Sequence, residues 1–335
     1  MLKLNLSDVV SSVHLEPQAG SDLDAASDQL FPPVSIDTRT IKAGETFFAI
    51  KGERLDGHQF VPQAVERGAK VLVISDPGDL PSLPNNVLVL KADDTTAALQ
   101  RLASLVRVKW AKDLLAITGS MGKTTTRHFT ASLLGVGRNV FQSPGNLNNH
   151  IGLPLALLQI NEHHDVAVVE LGMNHPGEIS RLSSICKPNG ALVTNVAPVH
   201  TEFFSSMSEV ARAKGEILDY LDPAGTFLYN ADDRLVVGLR DQFGGKHISF
   251  GLGADANYRV TDYQFKSLQE MEFTIQGPDC QVQGNVPFVG KHFLYNIVAA
   301  TAVALESNLE PQAVQETLSS LSPLPQRGQI LECDG

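Results

Sequence analysis

Largely apolar runs of strand length alternate with helical stretches from Leu114 onwards. The runs LLAIT, VAVVEL and ALVTNV carry apolar residues at consecutive positions, whereas a half-exposed strand alternates apolar and polar residues. Consecutive apolar positions indicate strands buried on both faces, as in a parallel sheet that helices cover. After Gly251 the sequence becomes β-rich, and helices are predicted from Leu294 to Leu305 and from Pro311 to Leu321. We therefore predict an α/β fold with a mostly parallel sheet flanked by helices and an additional β-rich part.

The stretch before residue 94 has a different pattern. The short strands TFFAI, KVLVIS and NVLVL surround one helical stretch, FVPQAVERGA, and proline and glycine mark the turns. This pattern predicts a small mixed α/β domain, and a helical period from Asp93 to Lys109 links it to the next domain. We predict an N-terminal domain over residues 1–93, a central domain over 94–327 and the start of a linker over 328–335.

The charge balance limits the partners that the chain can bind. Lys and Arg number 26 against 37 Asp and Glu, which gives a net charge of -11. Because a phosphate backbone is bound by clustered Lys and Arg, nucleic acid is not an expected partner. No window approaches the roughly 20 apolar residues of a membrane span, and the start has no basic stretch before an apolar run. We expect a cytoplasmic monomer without membrane insertion.

The run LLAIT leads directly into a glycine-rich turn and the start of a helix, in the sequence GSMGKTTT. Gly119 and Gly122 let the backbone approach an anion closely, Lys123 adds a positive charge, and Thr124 offers a hydroxyl to magnesium. The usual phosphate loop is G-x-x-x-x-G-K-[ST], and this loop is shorter. The alternative is a tight turn that contains Gly-Lys-Thr by chance. The flanking strand and helix favour a site for ATP and Mg²⁺.

Two further side chains follow predicted strands of the same sheet. Glu170 lies at the end of VAVVEL, and His200 follows ALVTNVAPV. Ligands of open parallel sheets bind outside the carboxyl ends of the strands, so we expect the phosphate loop, Glu170 and His200 to face one cleft. A carboxylate there can hold magnesium. The alternatives are a surface acid at a strand end and a packed loop histidine.

Lys214 lies on the apolar stripe of the predicted helix MSEVARAKGEILDYL. Burying an isolated charge is costly, so a lysine on this stripe must find a partner or lose its charge. The alternative is a lysine whose stem packs while its amine reaches water.

Six motifs in this order carry a resemblance to a known family: TGSMGKTTT, FQSPGNLNNHIGLP, VVELGMNHPGEI, NVAPVHTEFF, ARAKGEIL and GKHFLYNIVAATAVA. Together they resemble the Mur ligases, and the N-terminal stretch SIDTRTIKAGETFFAIKGERLDGHQF resembles a uridine-nucleotide domain of that family. The resemblance implies a ligase of peptidoglycan synthesis that uses ATP and Mg²⁺. Its implied substrates are UDP-N-acetylmuramoyl-tripeptide and D-alanyl-D-alanine, which it joins through an acyl phosphate.

The resemblance also implies roles for single residues. Four would be catalytic, with a carbamate on the last: Lys123, Glu170, His200 and Lys214. The metal would be held by Thr124, Glu170, His200 and Lys214. The nucleotide would contact Gly119, Ser120, Met121, Gly122, Lys123, Thr124, Thr125, Asn296 and Arg327. The substrate would contact Ser35, Asp37, Thr38 and Arg39 at its uridine end and Asn146, Asn148 and Asn149 at its muramoyl-peptide portion.

For some of these residues a simpler interpretation stays open. Asn296 would then be a helix-surface amide, Arg327 a solvated tail charge, and Asp37 with Arg39 a surface ion pair.

The sequence departs from the family pattern in three places. Ser120 and Met121 stand where the family commonly has Thr or Ser followed by Asn, and Arg127 stands where lysine is frequent. A third, C-terminal domain would begin where this sequence stops, at QILECDG. Three alternatives follow: a form that only binds nucleotide and substrate, a Mur ligase that adds a single amino acid, and a folylpolyglutamate-type ligase.

Overall fold

A computed structural model describes residues 1–18, 29–75, 83–84, 86–198 and 203–324. By packing, the chain divides into two compact units. The first comprises residues 1–111 with 150–162, and the second comprises residues 112–149 with the described residues from 163 onwards.

The first unit contains α1 (Leu6–Val13), β1 (Glu16–Pro17), β2 (Val34–Ser35), β3 (Thr46–Phe48), a 3-10 helix (Gly57–Phe60), α2 (Val61–Glu66), β4 (Val71–Ile74), β5 (Leu88–Lys91), α3 (Thr95–Trp110) and α5 (Gly152–Leu157). In the described part of this unit, five strands form a sheet in the order β1-β5-β4-β3-β2. Strands β2 to β5 are parallel, and β1 is antiparallel to β5. Phe47, Leu72 and Ile74 are buried in its core.

Helix α3 belongs to the first unit. The Asp94 carboxylate caps its start by accepting the N–H groups of Thr96 at 2.7 Å and Ala97 at 3.0 Å. Its apolar face packs against α1 and α5. The predicted domain boundary at residue 94 lies at the start of this helix, whereas the compact units change after Ala111. The binding roles assigned to residues 1–93 and 94–327 stay predictions.

The second unit contains β6 (Asp113–Thr118), α4 (Lys123–Leu134), β7 (Val140–Gln142), β8 (Val166–Glu170), α6 (Glu178–Cys186), β9 (Gly190–Val193), α7 (Met207–Gly215), a 3-10 helix (Glu216–Leu218), β10 (Thr226–Asn230), α8 (Arg234–Val237), a 3-10 helix (Arg240–Gln242), β11 (Lys246–Gly251), β12 (Tyr258–Phe265), β13 (Met271–Gln276), β14 (Gln281–Val286), α9 (Lys291–Glu306) and α10 (Pro311–Leu318). Among the described residues its sheet has nine strands in the order β14-β13-β12-β11-β10-β9-β6-β8-β7.

Strands β6 to β12 run parallel, and β12 to β14 are antiparallel. This confirms the predicted α/β fold with a mostly parallel sheet and an additional β-rich part. Buried residues of α4 and α9 pack together against the sheet, including Phe129, Leu133 and Ile297. None of the helices in the described ranges combines the length and the apolarity needed to cross a bilayer.

The order of the strands fixes where a ligand can bind. Strand β6 lies between β8 on one side and β9 on the other, so the chain leaves β6 and later returns to its opposite side. Such a reversal opens a crevice at the carboxyl ends of the strands. The loops after β6, β8 and β9 therefore border the same crevice in the second unit.

Candidate nucleotide site

The glycine-rich loop between β6 and α4 needs glycine at two positions. Gly119 has a φ of 147° and Gly122 a φ of 81°, values that side chains rarely adopt. A Cβ atom on Gly119 would overlap the Thr194 hydroxyl, and one on Gly122 would lie 2.5 Å from Asn296 Oδ1. The loop is therefore pressed between the end of β9 and helix α9.

Thr124 and Glu170 meet at the start of α4. Thr124 Oγ1 donates to Glu170 Oε2 at 2.9 Å, and Asn148 Nδ2 donates to Glu170 Oε1 at 2.9 Å. Glu170 is 4% exposed, so these donors take the place of water around its carboxylate. The Lys123 ammonium donates to the carbonyl of Gly119 at 2.8 Å, back toward its own loop. A hydroxyl and a carboxylate in contact are oxygen donors of the kind that Mg²⁺ prefers.

Arg127 supports this pair from the next turn of α4. It is buried, its Nε lies 4.0 Å from Glu170 Oε2, and its guanidinium donates to Ser143 Oγ at 3.3 Å and to the carbonyl of Gly145 at 3.2 Å. Arg127 therefore joins Glu170 to the loop that precedes Asn148. Sequence reasoning noted Arg127 only as a departure from the family pattern. Its position one helical turn after Lys123 was the available sign that it faces the same site.

Lys214 is buried on α7 and does not extend its amine into water. The residue is 3% exposed. Burial, and then the positive charge of Lys123, lower the pKa of Lys214 to about 7. The effect of the Lys123 charge indicates that Lys214 lies near the phosphate loop. Near neutral pH a large part of this amine is uncharged and able to act as a nucleophile.

A cavity of about 580 Å³ opens beside the phosphate loop. It is lined by residues that include His292, Tyr295, Asn230 and Asn296. Asn296 is 6% exposed, and its Oδ1 accepts the Thr126 hydroxyl at 3.1 Å. Asn296 is therefore not a helix-surface amide. A concave site that combines aromatic residues with a few fixed polar groups suits a purine base.

The predicted substrate asparagines lie on the loop after β7. Asn148 contacts Glu170, and its N–H donates to the carbonyl of Asn146 at 2.8 Å. Asn146 and Asn149 are exposed. The predicted residues His200 and Arg327 lie outside the described residues. In the described ranges no three His, Cys, Asp or Glu side chains form a group that could hold a metal ion.

The residues predicted for the uridine end lie in the first unit, directly after β2. Arg39 binds Asp37 in a bidentate ion pair, with Nη2 to Oδ2 at 2.6 Å and Nε to Oδ1 at 2.9 Å. Hydrogen bonds from Arg39 lower the pKa of Asp37 to about 2. Ser35 Oγ accepts the N–H of Asp37 at 3.2 Å, and the Thr38 hydroxyl donates to Gln63. The ion pair is present, and the binding role of this turn stays a prediction.

A histidine that sequence reasoning missed fixes the end of β4 in the same unit. His58 Nδ1 lies 2.6 Å from Asp56 Oδ1, and Nε2 accepts the backbone N–H of Ser75 at 2.9 Å. The Ser75 hydroxyl is 3.2 Å from the same nitrogen. Because Nε2 already accepts a backbone proton, His58 does not act as a base toward Ser75. In the sequence LDGHQF, the close spacing of Asp56 and His58 was the signal that could have indicated this contact.

Comparisons with known proteins match both units. The family model of the Mur ligase middle domain matches residues 117–304. A second model, described as "Mur ligase family, catalytic domain", matches residues 33–107. A UDP-N-acetylmuramoyl-tripeptide–D-alanyl-D-alanine ligase of Escherichia coli K12 is 36% identical over 98% of this chain and 70% of its own length. The ligase of that name from Bacillus subtilis 168 is 35% identical over 90% of this chain and 64% of its own length. The crystal structure of MurF from Acinetobacter baumannii superposes with a TM-score of 0.90 at 28% identity, over 99% of this chain and 71% of that chain. The chain thus spans about two thirds of the length of these relatives.

Proposed function

Because the chain belongs to the Mur ligase family, we propose that it acts in an ATP-dependent ligation that joins D-alanyl-D-alanine to a UDP-N-acetylmuramoyl-tripeptide. This reaction makes a peptidoglycan precursor, and we propose a cytoplasmic location for it. The observation that carries the proposal is the contact of the Thr124 hydroxyl with the Glu170 carboxylate beside a glycine-rich loop. The burial of Lys214 agrees with it.

The phosphates of ATP would bind at the start of α4. The first N–H groups of a helix have no acceptor within the helix, and the helix dipole favours an anion there. Lys123 would exchange its loop carbonyl for a phosphate oxygen. Thr124 and Glu170, with His200 as predicted from the family, would hold Mg²⁺, which offsets negative charge as the phosphoryl group is transferred.

The chemistry proceeds in two substitutions. The terminal carboxylate of the tripeptide attacks the γ-phosphorus of ATP, which forms an acyl phosphate and releases ADP. The amine of D-alanyl-D-alanine then attacks the acyl carbon, and the tetrahedral intermediate expels phosphate and leaves the new amide after loss of a proton. The residues of this chain position the groups and compensate charge.

Lys214 would carry a carbamate, formed when its neutral amine attacks carbon dioxide and releases a proton. An amine with an ordinary pKa of about 10.4 is almost fully protonated at neutral pH and reacts poorly. The lowered pKa of Lys214 removes most of this barrier. The resulting anion would lie close to Lys123, so the repulsion between two ammonium groups becomes an attraction.

The asparagine loop would connect the metal carboxylate to the substrate. Asn148 fixes Glu170 through its amide, and the exposed Asn146 and Asn149 would meet the muramoyl-peptide portion. In the first unit, the turn from Ser35 through Asp37 and Thr38 to Arg39 would bind the uridine end.

The test is release of ADP with the tripeptide substrate and D-alanyl-D-alanine. Turnover that is lost in Lys123→Ala and kept in Lys246→Ala supports the ligase, because Lys246 begins β11 at the opposite end of the sheet. Nucleotide and substrate binding without turnover supports the binding-only form. Turnover with a single amino acid in place of the dipeptide, or with a folate substrate, supports one of the other ligase types. Failure to bind ATP in the presence of Mg²⁺ contradicts the proposal.

A further inference from the structure

The segment Thr194–Ala197, which follows β9, runs alongside the phosphate loop. The N–H of Ser120 donates to the carbonyl of Asn195 at 2.9 Å. The Ser120 hydroxyl donates to the carbonyl of Ala197 at 3.0 Å and accepts the N–H of Ala197 at 2.8 Å. We call residues 194–197 the strap, because they hold the loop to the neighbouring strand.

The side chain of Asn195 makes the most specific contact of the strap. Its Oδ1 accepts the N–H of Met121 at 2.9 Å, and its Nδ2 donates to the carbonyl of the same residue at 3.1 Å. The Thr194 hydroxyl also donates to this carbonyl, at 2.7 Å. The Met121 side chain is 57% exposed and contributes little packing, so these bonds orient its backbone.

The strap is itself anchored to the next strand. Asp233, which caps α8, accepts the N–H of Val196 at 2.7 Å, and Asn230 Nδ2 donates to the carbonyl of Thr194 at 2.9 Å. Both partners follow or end β10. The end of β10 therefore positions the strap, and the strap positions the backbone of Met121.

The backbone N–H groups of the loop fall into two sets, those bonded to the strap and those left for an anion. Those of Ser120 and Met121 are bonded to the strap, so an anion would use the N–H groups at the start of α4. The loop is shorter than the usual phosphate loop, and hydrogen bonds from the strap hold its backbone in place. We propose that Asn195 is a positioning residue that fixes the Met121 peptide and so prepares the loop for nucleotide phosphates. This inference rests on the proposed nucleotide site.

The test compares Asn195→Asp with Asn195→Ala. Aspartate keeps the shape and the acceptor for the Met121 N–H, but it places a second oxygen against the Met121 carbonyl, where the amide donated at 3.1 Å. Asn257→Asp is a matched control, because Asn257 binds Ser249 through its side-chain oxygen, which aspartate retains. Titration calorimetry measures the affinity for ADP with Mg²⁺ and for adenosine, which has no phosphate.

We expect Asn195→Asp to weaken ADP binding about tenfold, as for the loss of one or two hydrogen bonds, with adenosine binding changed less than twofold. Asn195→Ala should weaken ADP binding in the same selective way. Asn257→Asp should match the wild type with both ligands.

The outcomes separate this inference from the proposed function. If the wild type does not bind ADP, the nucleotide site itself is wrong. If the wild type binds ADP and both Asn195 variants bind it equally well, Asn195 does not position the loop. An equal loss for ADP and adenosine also overturns the inference, because it indicates general damage to the cavity. If the aspartate variant does not fold, the alanine variant decides between these outcomes.

Discussion

Replacing Lys214 with methionine should stabilise the second unit, although it removes a residue proposed for catalysis. In the folded protein burial and the charge of Lys123 lower the pKa of Lys214 from its ordinary value of 10.5 to about 7. In the unfolded chain the amine keeps its ordinary affinity for protons. At a pH between these two pKa values the unfolded state binds more protons than the folded state. The free energy of unfolding of the wild type therefore rises as the pH is raised.

The size of the effect follows from the two pKa values. One pH unit corresponds to about 1.36 kcal/mol, so the amine costs the folded protein roughly 4 kcal/mol at pH 7 and roughly 2 kcal/mol at pH 9. Methionine has a similar length and no charge, and the residue is 3% exposed, so little of this cost is relieved by solvent. We expect Lys214→Met to raise the free energy of unfolding by up to about 4 kcal/mol at pH 7, and by about 2 kcal/mol less at pH 9.

Urea denaturation at both pH values measures this difference, in buffers freed of carbon dioxide so that no carbamate forms. Hydrogen exchange followed by mass spectrometry identifies the transition of the unit that contains α7. Arg212→Met is the matched control, because Arg212 lies on the same helix with an exposed side chain and should change the stability little. The reasoning is refuted if Lys214→Met is no more stable than the wild type at pH 7, or if the difference between them does not depend on pH.

Three further substitutions test the site. Gly119→Ala should abolish ADP binding in calorimetry, because the loop cannot keep its backbone conformation. Gly137→Ala is the control and should leave binding intact, because Gly137 also has a positive φ but has open space around it. Thr124→Val removes the donor to Glu170 and should raise the Mg²⁺ concentration needed for half-maximal ADP affinity; an unchanged requirement would separate Thr124 from the metal. Lys214→Ala should lose ADP release in the ligase assay and regain part of it with a short carboxylic acid, and full activity without the acid would argue against a carbamate.

Local sequence predicted the centre of the second unit well. The run LLAIT forms a strand, the glycine-rich turn follows it, and a helix begins at Lys123, as expected. Buried strands and helix starts leave such local patterns. The strands β10 and β11 were missed. Neither run is continuously apolar, because TFLYN begins and ends with a polar residue and KHISFG begins with two. Their places in the sheet therefore depend on their neighbours rather than on their own patterns.

Contacts between distant residues could not be predicted from patterns. Thr124 and Glu170 are 46 positions apart, and Met121 and Asn195 are 74 apart. The order of the strands creates both contacts, and that order is a property of the whole sheet. The strand pattern placed Glu170 at the cleft of the phosphate loop, without its partner Thr124, and neither that pattern nor the resemblance to a family indicated Asn195.

The first unit is built from two separate segments of the chain, and this has a consequence during protein synthesis. Helix α5 begins 41 residues beyond the end of the first segment, and its Leu153, Ala156 and Leu157 are completely buried. Gln100 of α3 also donates to the carbonyl of His150 at 2.7 Å. The ribosome must therefore release residues up to about 162, including β6 and α4, before the first unit can finish folding. A fragment that ends at residue 111 would therefore lack helix α5, against which α3 packs.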